Sequence, residues 1–315
     1  MGVQILIRVA WLIVSLIAAS ILVFAVTNVL PGDVAAVILG TSATPEALDT
    51  LRHQLGLDQP AWIRYVQWVG GMLHRDFGTS LLSHSAVGPL IVQKLSVSAP
   101  LAIASAVIAL ALALPMGVLA GVNYRKTSGA IISAVSLLGI AIPTFWAGLL
   151  LATIFAIQLK LLPAGGFVDW SDNPLGAARS LILPSLALGL VQAAVLTRYV
   201  RSAIVDVQRE DFIRTARAKG LTRWQALRRH GFRYAAIPVV TILGIQLTGL
   251  LVGAIVIENV FVLPGLGRLL FQSVGNRDLI VVQDLVMLLT AVVLVVNFLV
   301  DLSYRLIDPR IRSSA

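Results

Sequence analysis

Six stretches of this chain are long and apolar enough to lie in lipid, and they limit what everything between them can become. Residues 9–30, 98–124, 131–159, 181–197, 236–257 and 279–300 each approach or exceed the roughly 20 residues an α-helix needs to cross a hydrocarbon layer. No water reaches the backbone there, so each run must close its own hydrogen bonds, which means a helix. The expected fold is therefore all-α: a polytopic membrane protein of about six transmembrane helices. The fourth run is the shortest. Composition agrees, since 58% of the 315 residues are hydrophobic and 12% charged, where a soluble domain carries roughly 25% charged residues. The first run is longer than the roughly 7–15-residue core of a signal peptide and reads as a retained span.

Six spans put both termini on one side, and the basic residues indicate which. With a cytoplasmic N-terminus, the inside segments hold 16 Lys and Arg and the outside segments 8, of which 4 fall in the long first loop. Long loops count little in the positive-inside rule, so the expectation is a multi-pass protein with both termini cytoplasmic. This distribution also accounts for the net charge of +9 and excludes nucleic acid as its cause. The absence of cysteine rules out disulfides and Cys-ligated metals within the chain.

Three regions follow: an N-terminal span at 1–30, an extracytoplasmic loop at 31–97, and a membrane core at 98–315. The outer loop is too long for a plain connection. Thr44-Pro45-Glu46 starts a helix with Leu48, Leu51 and Leu55 in register before Gly56, and a second helix opens near Pro60 with Trp62, Val66, Val69 and Leu73 along one face. Neither can span. Both are expected as amphipathic helices on the outer surface, with Trp62, Tyr65 and Trp68 suited to the interface.

Inside the core, Gly117/Gly121 and Gly249/Gly253 offer faces for close helix packing. Pro143 should kink the third span. Between the last two spans, the apolar segment 260–268 is broken by Pro264, Gly265 and Gly267. Irregular backbone at membrane depth survives only when buried in protein or lining a cavity. With Pro143 and Glu258, these residues are candidates for a gate or pathway wall. Glu258, Asp278 and Asp284 fall at span ends, which leaves no evident ion relay and places the energy source outside the chain.

The most charged part of the chain is the loop 198–233, which carries ten Lys and Arg. It reads as two short helices with a hinge. Asp211 is the expected N-cap of the first. Arg217 and Lys219 sit in its last turn and Gly220 stops it in a left-handed conformation. Thr222 and Gln225 match a capping box that opens the second. Phe212, Ala216 and Gly220 share a face that should enter a groove on a partner. A helix of about two turns is marginal alone, so the element should be held by something else.

Chemistry of other kinds finds no support. His53, His74, His84 and His230 lack metal-ligand spacing, and no metal site is expected. There is no Gly-x-Ser-x-Gly. The run Gly121-Val-Asn-Tyr-Arg-Lys-Thr127 misses the second glycine of a phosphate-binding loop. No catalytic residues are assigned.

With these residues in view, the chain resembles the membrane subunits of bacterial ATP-binding-cassette importers of the dipeptide, oligopeptide and nickel group, and is most similar to the first of their two permeases. The resemblance is carried by Leu30-Pro-Gly-Asp33, Leu51-Arg-His-Gln-Leu-Gly-Leu-Asp58, Arg75-Asp-Phe-Gly-Thr-Ser80, Arg214-Thr-Ala-Arg-Ala-Lys-Gly220, Pro264-Gly-Leu-Gly-Arg268 and Asp308-Pro-Arg-Ile-Arg312, in that order. Arg214 and Thr215 stand where many importers of this type have Glu-Ala, and Phe232-Arg233 replaces a downstream Leu-Pro. The resemblance implies a type I importer permease fold in the bacterial cytoplasmic membrane. Asp211, Phe212, Arg214, Thr215, Ala216, Arg217, Ala218, Lys219, Gly220, Leu221 and Thr222 would be the contacts for a separate ATPase. It implies a second homologous permease, one or two ATPase subunits, an extracytoplasmic solute-binding protein and the lipid bilayer as partners. No cofactor belongs to this chain, because ATP and Mg sit on the ATPase. The cargo would be short peptides, with nickel, glutathione or another small solute as the alternative. An ATPase-independent channel or carrier is the reading from another class.

Overall fold

The computed structural model describes residues 2–29, 39, 43–54, 56, 58–80 and 83–307. The motifs at 30–33 and 308–312 lie outside the described residues, as do Leu55 and Leu57. Among the described residues the regular structure is helical, with an isolated bridge between Thr79 and Ala86. In order the helices are α1 (Gly2–Val29), α2 (Pro45–Gln54), α3 (Ala61–Leu73), α4 (Val87–Val122), α5 (Thr127–Ala141) and α6 (Thr144–Leu151, continued by a π-helical turn at Ala152–Gln158). Then follow α7 (Pro174–Val207), α8 (Asp211–Ala218), α9 (Arg223–Ala226, continued by a π-helical turn at Leu227–Gly231), α10 (Phe232–Val260), α11 (Leu266–Gly275) and α12 (Leu279–Ile307).

The core is organised on α7, the most buried of the spans. Its length exceeds the apolar run at 181–197 because Asn173 caps its start, accepting from the Gly176 N–H, with Pro174 in the first turn. Helix α4 lies against it with backbones almost touching. A Cβ on Gly117 would stand 2.5 Å from Val200, one on Gly121 2.6 Å from Ile204, and one on Gly189 2.8 Å from Ile108. These pairings ascend together, so α4 and α7 run parallel. Helix α10 packs on α7 in the opposite sense, with Gly253 on Leu188 and Gln246 donating to Gln192 at 2.7 Å. Both glycine pairs read from the sequence therefore serve the same helix.

Parallel neighbours require the intervening chain to return to its starting level, and α5 with α6 does this. Gly129 lies on Asn123 and Ala120, Gly139 on Ala194, and Gly148 on Ile257 and Phe261 at the other end. The two helices meet at 99°, far beyond a proline kink. The cause is local: Pro143 forces Ile142 into extended backbone (φ −83°, ψ 119°), so α5 ends there and α6 starts anew. Among the described residues five helices are singly long and apolar enough to cross a membrane, and six if the bent pair is counted as one broken span.

Helix α1 runs beside α12 in the opposite direction: Arg8 bonds the Asp301 carbonyl and Thr27 bonds Gln283. The start of α1, the end of α12 and the basic loop thus gather at one end, here the basic end. Helices α2, α3 and α11 occupy the distal end.

In the outer loop, α2 begins at Pro45, with Thr44 accepting from Ala47, and stops before Gly56 at φ +64°. Helix α3 presents one side outward and docks the other. Its stripe of Trp62, Val66 and Leu73 is exposed (69%, 60% and 80%). The opposite side docks, with Tyr65 bonded to Ser20 and Trp68 to Asp284. Helix α4 also starts earlier than its apolar run, so Lys94 sits within it rather than in the loop.

Replacing Gly117 or Gly121 by valine should force α4 from α7 at a cost of about 2 kcal/mol or more, read as a lowered melting temperature of the purified chain in detergent. Gly249→Ala, which meets only Gln192 Nε2 at 3.7 Å, should melt like the wild type.

Candidate functional site

Two constellations at opposite ends of the bundle collect the residues singled out in the sequence. The first is the basic knuckle α8–α9. Glu210, not Asp211, is the N-cap of α8 and offers no side-chain bond, so Asp211 is the first helical residue. Its carboxylate lies 3.3 Å from Arg214 one turn on, both well exposed. The termination is a Schellman motif: Gly220 N–H bonds Arg217 C=O, and Leu221 N–H bonds Ala216 C=O. Gly220 takes φ +93°, with nothing near its absent Cβ. The capping box at the next helix is complete, with Thr222 N–H on Gln225 Oε1 at 2.9 Å and Gln225 N–H on Thr222 Oγ1 at 3.3 Å.

Of the face expected to enter a partner, Phe212 and Gly220 are exposed and Ala216 alone turns inward. Ile213 and Ala216 are buried in this chain's own core, with Ile204, Val207, Leu227 and Ala235. Phe212 stands at the edge against Tyr234, and Trp224 meets Phe232 edge-on. Arg214, Thr215, Arg217, Ala218, Lys219, Gly220 and Thr222 are exposed, and Leu221 is half-buried. Ile213, absent from the sequence reading, is the anchor; its burial follows from being one turn from Ala216 on an eight-residue helix. The knuckle is further tied down by Gln208, which donates to the Gly121 and Ile204 carbonyls, and by Arg223 over the Tyr124 ring.

The second constellation lies at the distal end of α10. Glu258 is 1% exposed, and its carboxylate is enclosed by the segment that follows it. Ser98 of α4 donates to Oε1 at 2.5 Å, and the Arg268 N–H donates to Oε2 at 3.0 Å. The Leu266 N–H bonds the Ser98 hydroxyl at 2.8 Å. Helix α11 therefore has its first turn capped by a carboxylate from α10 and a hydroxyl from α4. Its orphan N–H groups find acceptors in a buried carboxyl group and a hydroxyl. A Cβ at Gly265 would overlap the carboxylate, and one at Gly267 would stand 2.5 Å from the Ile255 Cα. Both glycines are required by this approach.

The chain turns from α10 into this segment through a strained residue. Val262 holds φ +56°, the left-handed position of a second Schellman motif in which Leu263 N–H bonds Glu258 C=O. A β-branched side chain is disfavoured there. Below the carboxylate is a cavity of about 340 Å³ between α4, α10 and α12, with alkyl walls that include Ala102, Ala106, Leu251 and Val292. Glu258, Gly265 and Gly267 thus form one site, with Pro264 in the turn above them; Pro143 is exposed and apart from them. Ser98, the other half of the cap, carried no signal in the sequence, because a serine at the edge of an apolar run is common.

Two other carboxylates anticipated at span ends are also buried. Asp278 accepts from Ser80 at 2.5 Å, and Asp284 accepts from the Trp68 indole at 2.8 Å. Both fasten the outer loop to α12.

Residues 1–102 match the family model described as the N-terminal part of the binding-protein-dependent transport system membrane component, and residues 113–313 match the inner membrane component itself. A protein of Brucella abortus named as a peptide transport system permease is 40% identical over 309 residues, covering 97% of each chain. The glutathione transport system permease protein GsiC of Escherichia coli K12 is 38% identical over 305 residues, again 97% of each. The methionine ABC transporter MetNI in an inward-facing conformation shares the fold at a TM-score of 0.55 and 20% identity, over 70% of this chain and 96% of that one.

Glu258→Ala should unpin α11, destabilising the chain by about 3 kcal/mol. Because the chain has no cysteine, a single Leu266→Cys reports the opening: it should resist a soluble maleimide alone and label several-fold faster in the Glu258→Ala background. Val262→Gly should relieve roughly 1 kcal/mol of left-handed strain and raise the melting temperature.

A bundle of five or six candidate membrane helices, a docked basic knuckle and a match over nearly the whole length agree: the chain belongs to the inner membrane components of binding-protein-dependent transport systems, the non-catalytic permease subunits of ABC importers whose ATPase is a separate subunit.

Proposed function

We propose that this permease forms half of the pathway through which an ATP-driven importer takes up short peptides. The observation that carries the reading is its end-to-end similarity to relatives named for peptide and glutathione transport, glutathione being itself a tripeptide. The cavity beneath Glu258 is walled mainly by alkyl side chains. A second, homologous permease therefore completes the polar pathway, and an extracytoplasmic binding protein selects the cargo.

The exposed side of the knuckle, Asp211 to Thr222 without Ile213 and Ala216, docks in a cleft of one or two ATPase subunits on the cytoplasmic face. Both termini lie on that face. Because Ile213 and Ala216 are packed on the ends of α7 and α10, ATPase closure moves these helices with the knuckle. The bundle then alternates between inward- and outward-open states, of which ATP binding favours one. At the distal end, Pro264, Gly265, Gly267 and Glu258 act as a gate, with Pro143 as a second flexible point. A glutathione importer is the neighbouring reading, favoured by the second relative.

Proteoliposomes holding the whole complex decide between the two cargoes. ATP-dependent uptake of labelled dialanine that exceeds uptake of glutathione supports the peptide reading, and the reverse order replaces it. Gly220→Pro cannot adopt φ +93° and loses the N–H bonded to Arg217. It should leave the bundle assembled and ATP hydrolysis running while uptake falls by an order of magnitude or more; unchanged uptake would refute the coupling role.

A further inference from the structure

A cavity of about 360 Å³ opens between α1, α3 and α12 at the distal end, away from both constellations. Its walls include Phe24, Asn28, Arg64, Trp68, Asp76 and Gln283. We propose that it holds the headgroup of a zwitterionic phospholipid of the ethanolamine type. The reading is independent of cargo.

The first argument is charge. Arg64 and Asp76 line one cavity, yet among the described residues no ion pair joins them. The Arg64 guanidinium lies 6.0 Å from the centre of the Phe24 ring, and its Nε is buried without a hydrogen-bond partner. Asp76 spends Oδ1 on the Gly78 N–H and keeps Oδ2. One end of the cavity therefore asks for an anion and the other for a cation. A phosphate and a primary ammonium on one short linker satisfy both.

The remaining polar groups fit the same occupant. Asn28 gives its Nδ2 to the Phe24 carbonyl and keeps Oδ1 as an acceptor. Gln283 accepts from Thr27 and keeps its amide N–H groups for an anion. An ammonium has three N–H donors for Asp76 and Asn28, whereas a choline headgroup has none.

Depth is the second argument. The cavity lies at the last turn of α1 and the first turn of α12, where two spans leave the hydrocarbon. Helix α3 exposes Trp62, Val66 and Leu73 on its free side, as a helix lying in the membrane interface does. Headgroups occupy this level, and an acyl chain has the exposed apolar surface of α1 to follow.

Native mass spectrometry of the intact complex, delipidated and offered equal mixtures of phosphatidylethanolamine, phosphatidylcholine and phosphatidylglycerol, tests this. Phosphatidylethanolamine should be retained preferentially. Arg64→Gln should weaken that retention by roughly tenfold, the loss of one charge-assisted hydrogen bond. Asp76→Asn, which keeps the bond to Gly78, should shift preference toward phosphatidylglycerol. Equal retention of all three lipids, or retention unchanged in both variants, overturns the proposal. Displacement of the lipid by dialanine would assign the cavity to a soluble zwitterion and overturn it equally. If Arg64→Gln fails to fold, the preference shift in Asp76→Asn decides alone.

Discussion

The close approach of α4 to α7 is the contact on which the rest of the structure depends. In lipid no hydrophobic force drives two helices together, so they associate where small residues let backbones meet. Gly117, Gly121 and Gly189 supply that surface, and Ala109, Ala113 and Ala120 continue it. Once these helices lie parallel, topology follows. The segment between them must climb back through the bundle, α10 climbs along the other side of α7, and the loop after α7 emerges beneath both.

Charge in this apolar body is confined to its ends, and at the distal end it is spent on fastening. Glu258, Asp278 and Asp284 are each buried and each take a hydrogen bond from a neighbouring element: Ser98 of α4, Ser80 of the outer loop and Trp68 of α3. A buried carboxylate with its donors in place is tolerable; one stripped of them is not. Polar contacts of this kind locate irregular segments that dispersion alone would leave to slide.

What the sequence made legible was local. The apolar runs, the Thr222–Gln225 box, the stop at Gly220 and the start at Pro45 all depend on residues a few positions apart, and all appear in the structure. What it left illegible was set by distant parts of the chain. Nothing near Ile213 indicates that it packs, with Ala216, onto the ends of α7 and α10. Nothing near Tyr65 and Trp68 indicates that they find Ser20 and Asp284. Ser98 and Glu258 are separated by most of the core. Pro143 shows a third kind of failure, because a proline predicts a break but not the 99° through which the chain turns.

The length of α7 has a mechanical consequence. Its 34 residues form a rod of about 50 Å at 1.5 Å per residue, seated along most of one side in α4 and gripped near its lower tip by Ile213. A rod so bedded cannot slide without breaking the glycine contacts, but it can tip together with α4. A small sideways load at the lower tip would then reappear, reversed in direction, at the top of the rod.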